Sequence, residues 1–329
     1  MFKRKSEILT SHNPQSFNEL ALAIFHFQAT NVPIYREYLK LIKCQPHDIQ
    51  RTQDIPYLPI EFFKSHEVFV NGLEKQHVFT SSGTTSSQTS SHFVVDLTWY
   101  EKTFTTGFEL FYNSPKNLTI VALLPSYLER SGSSLVYMAE KLIAQSNSEL
   151  SGFFLHDYAR LQEILQTLKL NGQPTLLLGV SYALLDMAEK FPVDFPELLV
   201  METGGMKGKR KEMVRSELHK VLQNGFNVSQ IHSEYGMTEL MSQAYSKGNG
   251  FFTCPPWMAI NIREHNDPFS TARIGKTGGV NIIDLANVDS CSFIATSDLG
   301  RKYENGDFEI LGRFDHSDAR GCNLIMMEP

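Results

Sequence analysis

The chain has 329 residues, 42% of them hydrophobic with 23 phenylalanines, enough to bury one large core or two moderate ones. Its net charge of −6 and pI near 6.0, without a long basic block, argue against nucleic acid or an anionic membrane as the main partner. Four scattered cysteines, Cys44, Cys254, Cys291 and Cys322, form no C-x-x-C pair and suit free thiols in a reducing cytosol better than a disulfide frame or structural zinc.

From the N-terminus, Lys3, Arg4 and Lys5 precede a polar stretch rather than an apolar run, which is not the pattern of a secretory signal. No stretch approaches the roughly 20 apolar residues of a membrane span. Ser16-Phe17-Asn18-Glu19 predicts a capping box, and Phe17, Leu20, Ala21, Ile24 and Phe25 give the following helix an apolar face. A second short helix is expected around Tyr35–Lys43. The two prolines of Ile55–Ile60 exclude helix there, before Glu61-Phe62-Phe63-Lys64, whose lysine reads as a solvated side chain.

His77–Thr80 then leads as a β-type run into seven hydroxyl residues, Ser81, Ser82, Thr84, Thr85, Ser86, Ser87 and Thr89, set around Gly83. Such a loop offers closely spaced N–H and hydroxyl donors with little side-chain bulk, the surface that polyphosphate oxygens need. It is not a Walker loop, and taken alone it equally fits a Ser/Thr-rich linker.

Beyond it, Asp96 is placed to cap a helix running towards Phe111. Apolar strands are expected at Leu118–Leu124, Gly152–Leu155, Thr175–Leu178, Glu197–Met201 and Asn227–His232. Helices are expected at Gly132–Ala144, Tyr158–Leu170, Tyr182–Lys190 and Lys209–Gln223. Strands alternating with helices of this length predict βαβ units and a largely parallel sheet. Ligands of such sheets sit beyond the carboxyl ends of the strands.

Three loops after strands stand out. Met201-Glu202-Thr203-Gly204-Gly205 permits close approach to the backbone, although alone it is a plain Gly-Gly turn. His232–Glu239 gathers Tyr235, Gly236, Thr238 and Glu239 within five residues. Thr296-Ser297-Asp298-Leu299-Gly300 sets a carboxylate at a turn, where Asp commonly serves the turn itself. From Phe251 on, the pattern becomes β-like and rich in Gly and Pro, and no internal repeat is visible.

The ordered set SSGTT, TGG, YGMTE, SDLG and GRFD resembles the adenylate-forming superfamily of acyl-CoA synthetases, firefly luciferase and peptide-synthetase adenylation domains. Within it, LPSYL, ETGG, PPW, NDPF and the terminal RGCN are most similar to the acyl-protein synthetase (LuxE-like) family, with phenylacetate-CoA ligases next. The resemblance runs from about the FFK stretch to the end of the chain. It implies an α/β fold: the superfamily's large N-terminal domain, with mostly parallel sheets flanked by helices and a β-rich part, over residues 1–312. Residues 313–329 would be a short C-terminal remnant.

The implied cofactors are ATP and Mg²⁺. Ser81, Ser82, Gly83, Thr84 and Thr85 would hold the β- and γ-phosphates. Gly204 and Gly205 would border the adenine, with Tyr235 of the Tyr235-Gly236 pair stacked on it. Thr238 would bind the α-phosphate and Glu239 would ligate the metal, while Asp298, assisted by Arg313, would bind the ribose hydroxyls. Attack of a carboxylate on the α-phosphorus requires neutralised phosphate charge and in-line groups, which such donors supply.

Two departures from the family pattern carry consequences. Ser86-Ser87 stand where Gly-Lys usually follows the Thr-Thr pair, and the chain ends 14 residues after Asp315, which predicts that the mobile C-terminal domain with its catalytic lysine is absent or reduced. Acyl-protein synthetases instead carry an acyl-accepting cysteine near the end, and Cys322 occupies that place, although a cysteine can also be a small buried hydrophobe. The implied partners are a carboxylic, fatty-type acid and an acyl-accepting reductase or carrier protein. The alternatives are an acyl-CoA ligase and a nucleotide- or acyl-binding protein that has lost catalysis.

Overall fold

The computed structural model describes residues 2–11, 13–81, 89–124, 132–205, 210–211 and 213–314. Ser82, Gly83, Thr84, Thr85 and Cys322 lie outside the described residues.

After a 3₁₀ turn at Lys5–Thr10 come helices α1 (Pro14–Asn31) and α2 (Pro33–Leu41). The first helix begins earlier than its capping box predicts. Asn13 is the cap, accepting the Ser16 N–H at 2.9 Å, with Pro14 at the first helical position. Proline there has no N–H to lose and its φ is already helical, so Asn-Pro outcompetes the later Ser16 signal. The short strand β1 (Leu58–Pro59) and helix α3 (Phe62–Ser65) follow. The hairpin β2 (His77–Thr80) and β3 (Ser91–Val94) comes next, then α4 (Leu97–Tyr112), capped by Asp96 as expected.

The alternating part comprises β4 (Thr119–Leu123), α5 (Ser134–Gln145), β5 (Gly152–Phe153), α6 (Tyr158–Leu170) and β6 (Thr175–Val180). It continues through α7 (Ser181–Lys190), β7 (Leu199–Thr203), α8 (Arg215–Phe226), β8 (His232–Tyr235) and β9 (Ala244–Ser246). Several boundaries differ from expectation, most of all at α8, which starts at Arg215 where Lys209 was expected, while β7 lies two residues later than Glu197–Met201. The last of these helices runs to Phe226, and Asn227 closes it in the left-handed conformation at φ 51°, so β8 starts only at His232. An asparagine tolerates that conformation and ends helices much as glycine does.

These strands form one sheet in the order β5-β4-β6-β7-β8-β9. All neighbours are parallel except the antiparallel edge strand β9. Strands β4 and β6 are buried along their whole length, as parallel strands covered on both faces must be.

A second sheet is built from β10 (Met258–Arg263), β11 (Thr277–Asp284), β12 (Phe293–Lys302) and β13 (Phe308–Arg313), with a 3₁₀ turn at Leu285–Asn287 after β11. Its main path runs β1-β12-β11-β10, with β13 also paired to β12, and only the β1–β12 pairing is parallel. Helices α1 and α2 cover it, with Phe25 and Tyr35 packed on Phe293. The fully buried Gln28 ties α1 to the 3₁₀ turn, donating to the carbonyls of Asn287 and Val288 and accepting the Ser292 N–H. Among the described residues, no helix is long and apolar enough to cross a membrane.

Candidate active site

The hydroxyl-rich loop springs from a closed neck. Ser81 N–H donates to the Ser90 carbonyl at 3.0 Å, and Ser90 N–H donates to Ser81 Oγ at 2.9 Å. The neck opens beside the carboxyl ends of the parallel strands, because β3 carries His92 against the loop that follows β8. His92 Nδ1 lies 2.9 Å from the Thr238 carbonyl and Nε2 lies 3.0 Å from Asn287 Oδ1. Burial pushes His92 down to about 4, against the upward pull of those two acceptors.

At the end of β7, Gly204 adopts φ +67°, a left-handed turn that favours glycine. Ser181 Oγ lies 3.1 Å from Glu202 Oε2 and 3.2 Å from the Gly204 carbonyl, so one proton serves both acceptors. Gly204 and Gly205 are exposed, and a Cβ at Gly205 would meet nothing within 4 Å. Below them, burial opposes the charge of Glu202, but His219 and Arg215, at 3.7 and 3.4 Å, outweigh it and hold the carboxyl below its usual value.

At the end of β8, Thr203 donates to the buried Glu234, whose carboxyl is pushed up to about 7 by burial and by neighbouring Glu202. A Cβ at Gly236 would come within 2.4 Å of Glu234 Oε1, so the glycine leaves room for that carboxyl. Tyr235 donates its hydroxyl to Asp298 Oδ2 at 2.8 Å. Burial, with the Asp298 charge beside it, pushes the tyrosine well above its ordinary value and keeps it a donor. Arg313 Nε donates to Asp298 Oδ1 at 3.1 Å. These two meet because β12 and β13 pair Asp298 directly with Arg313. Asp298 is 8% exposed at its side chain and Arg313 76%, so the arginine stands at the solvent edge of the cluster.

Glu239 is 4% exposed. Burial raises its carboxyl above the ordinary value, against the pull of the nearby Ser90 hydroxyl and the Arg313 charge. A divalent cation beside such a group would return it to the ionised form. Among the described residues no three His, Cys, Asp or Glu side chains gather as a metal cluster. Mg²⁺ commonly takes only one or two carboxylates plus phosphate oxygens and water, a donor set that Glu239 and a nucleotide fit.

Of the expected site residues, the structure therefore brings Tyr235, Asp298 and Arg313 into one hydrogen-bonded cluster. Ser81, Gly204, Gly205, Gly236, Thr238 and Glu239 stand in the loops next to strand ends. The three described cysteines offer no activated thiol: burial pushes Cys254 and Cys291 up to about 12 and also raises Cys44.

Sequence reasoning missed the residues that fix the loop after β8. Asp284, fully buried, accepts the N–H groups of Met241 and Ser242 at 2.9 and 3.0 Å and the Ser242 hydroxyl at 2.7 Å. Trp257 Nε1 donates to the same Ser242 oxygen at 2.9 Å. The available signal was a polar residue at each end of apolar runs, Asp284 and Asn287 in VNIIDLANV, where an ordinary surface turn would be less apolar.

No protein-family model and no curated protein matches this chain. Solved structures do. ATP-bound MatB from Rhodopseudomonas palustris superposes with a TM-score of 0.55 at 16% identity, covering 72% of this chain and 47% of that one, so the chain spans about half its length. An open conformation of 2-hydroxyisobutyryl-CoA ligase in complex with 2-HIB-AMP and CoA gives a TM-score of 0.68 at 14% identity, covering 92% of this chain and 70% of that one. Its thioesterification-state structure gives 0.67 at 15% identity, covering 94% and 71%. What is shared with these proteins is the α/β fold.

Proposed function

We propose that this chain activates a carboxylic acid with ATP. A carboxylate oxygen attacks the α-phosphorus, the new P–O bond forms, and pyrophosphate leaves with the electrons of the broken P–O bond. The observation that carries this reading is the Tyr235–Asp298–Arg313 cluster lying beside the loop of Thr238 and Glu239, beyond the carboxyl ends of a parallel sheet. Asp298 would accept from ribose hydroxyls through the lone pairs that Tyr235 and Arg313 leave on its two oxygens. Gly204 and Gly205 would admit the base against bare backbone. Ser81 and the rest of the SSGTT stretch would donate to the β- and γ-phosphates. Thr238 would orient the α-phosphate, and Glu239, ionised, would hold Mg²⁺. That ion, when bound, neutralises phosphate charge and aids departure of pyrophosphate.

We further propose, as in acyl-protein synthetases, that the acyl group then passes to Cys322: the thiolate attacks the acyl carbonyl, a thioester forms, and AMP leaves. A protein partner, such as a reductase or carrier, would receive it. The likeness to 2-hydroxyisobutyryl-CoA ligase supports a second reading, in which CoA supplies the thiol.

Acid-dependent exchange of labelled pyrophosphate into ATP tests the first step. Exchange above the acid-free control with a member of a panel of short, aromatic and fatty acids is expected, and none with the whole panel would sink the proposal. Cys322→Ser separates the acceptors. It should retain exchange and lose a hydroxylamine-labile acyl label on the protein, whereas equal acylation of CoA by both forms supports the ligase.

A further inference from the structure

Two consecutive carbonyls of the loop after β8 are gripped from behind by side chains that no motif marks. His92 on β3 is 1% exposed, and its Nδ1 lies 2.9 Å from the Thr238 carbonyl. A carbonyl and an amide oxygen both only accept, so the one N–H of the neutral ring that burial favours serves one of the two, and we place it on Nδ1 towards the Thr238 carbonyl. The ring's Nε2 lies 3.0 Å from Asn287 Oδ1. Asn287, also 1% exposed, donates through Nδ2 to the carbonyls of Glu239 and Cys291 at 2.8 and 2.9 Å. Turning that amide over would set its oxygen against both carbonyls, so the orientation follows from the network. His92 also packs edge-on against Phe63 at 6.2 Å, which leaves its ring little freedom.

The chain of contacts therefore runs from the Thr238 carbonyl through His92 to Asn287 and on to the Glu239 carbonyl. Two residues before His92, Ser90 both approaches the Glu239 carboxyl and closes the neck of the hydroxyl-rich loop. One short strand thus ties the loop that would hold phosphate to the loop that would hold metal.

We propose that His92 and Asn287 are positioning residues that set the aim of the Glu239 carboxyl by fixing the peptide units on either side of it, without touching substrate themselves. The proposal rests on the adenylation reading given above. Groups behind a ligand typically change metal affinity or activity by about 10- to 100-fold when removed, and buried side-chain networks lose their grip when one member is missing.

The test uses the full chain and two readouts. Calorimetry measures ATP binding with and without Mg²⁺, and pyrophosphate exchange measures turnover, in the wild type, His92→Ala, His92→Gln and Glu239→Gln, and in the His92→Ala/Glu239→Gln double variant. Thermal melting checks folding, and His92→Gln, which keeps a donor, carries the test if the alanine variant does not fold. His92→Ala should lose about 10- to 100-fold of the Mg²⁺-dependent gain in ATP affinity while binding metal-free ATP as the wild type does. His92→Gln should recover part of that loss. In the Glu239→Gln background the alanine change should add nothing, because its route of action is already gone.

A folded His92→Ala protein with wild-type Mg²⁺ dependence, or an equal loss in the Glu239→Gln background, overturns the assignment. Wild-type ATP binding that ignores Mg²⁺, with Glu239→Gln equally silent, overturns the adenylation reading and this assignment with it.

Discussion

The two sheets divide the candidate site between them in different ways. In the six-stranded, mostly parallel sheet, two central strands end in exposed or small residues: Gly204 and Gly205 after β7, Gly236 and Thr238 after β8. The five-stranded sheet supplies buried polar groups that hold those loops from the far side: Asp284 and Asn287 at the end of β11, Asp298 on β12. In the proposed site the first sheet would present most of the groups that meet a ligand, and the second would fix where they stand, with Asp298 serving both ends. Preorganised donors in a water-poor site need both, because a donor free to swing loses most of its electrostatic advantage.

That division sorts the expected effects of mutation. The largest falls on the presenting side. Glu239→Gln should lower acid-dependent exchange by roughly 10²- to 10³-fold with an unchanged melting profile, the magnitude of losing one electrostatic donor. Wild-type exchange in that variant would contradict the metal-binding role proposed for Glu239.

Asp284→Ala, on the holding side, should instead destabilise the fold by about 3 kcal/mol. It strands the N–H groups of Met241 and Ser242 in a buried place. Urea unfolding measures this, and a loss under about 1 kcal/mol would show that the loop does not depend on Asp284.

Glu234 gives a pH signature. Its carboxyl sits near 7 in the folded chain, above its ordinary value, so the unfolded chain releases that proton first as pH rises. Its contribution to stability is thus fully present below the unfolded value and is lost as pH climbs through about 7. Relative to Glu234→Gln, the wild type should lose about 3 kcal/mol between pH 4 and pH 8. Parallel pH profiles of the two proteins would contradict the burial argument.

The smallest effects belong to the Tyr235–Asp298–Arg313 cluster. Asp298→Ala should raise the KM for ATP about tenfold, the worth of one or two hydrogen bonds. Arg313→Ala should change it by only about two- to fivefold, as an exposed ion pair warrants. An arginine effect larger than the aspartate effect would reverse the order of the cluster.

Much of the presenting side was visible in the amino-acid order. Continuous apolar runs such as Thr119–Leu123 and a helical stretch such as Tyr158–Leu170 announce buried parallel strands and their crossovers. The turn glycines and the YGMTE stretch mark where those strands end. The holding residues were not, because Asp284 and Asn287 sit among apolar neighbours and His92 directly follows a serine-rich run. Nothing local distinguishes a buried hydrogen-bonding residue there from a surface one; their partners lie 146, 42 and 48 residues away along the chain. The start of α1 was within reach, since Asn13-Pro14 is itself a helix-start signal.

Oxygen tracing tests the central claim most directly. The chain is incubated with ATP, Mg²⁺ and an acid that supports exchange, its carboxylate labelled with ¹⁸O, and the AMP released on transfer to a thiol is weighed. Attack of the carboxylate on the α-phosphorus, followed by departure of AMP from the acyl carbon, leaves one labelled oxygen on AMP. AMP without label, or label found in inorganic phosphate, would mean that the acid is not activated as an acyl-adenylate by this chain.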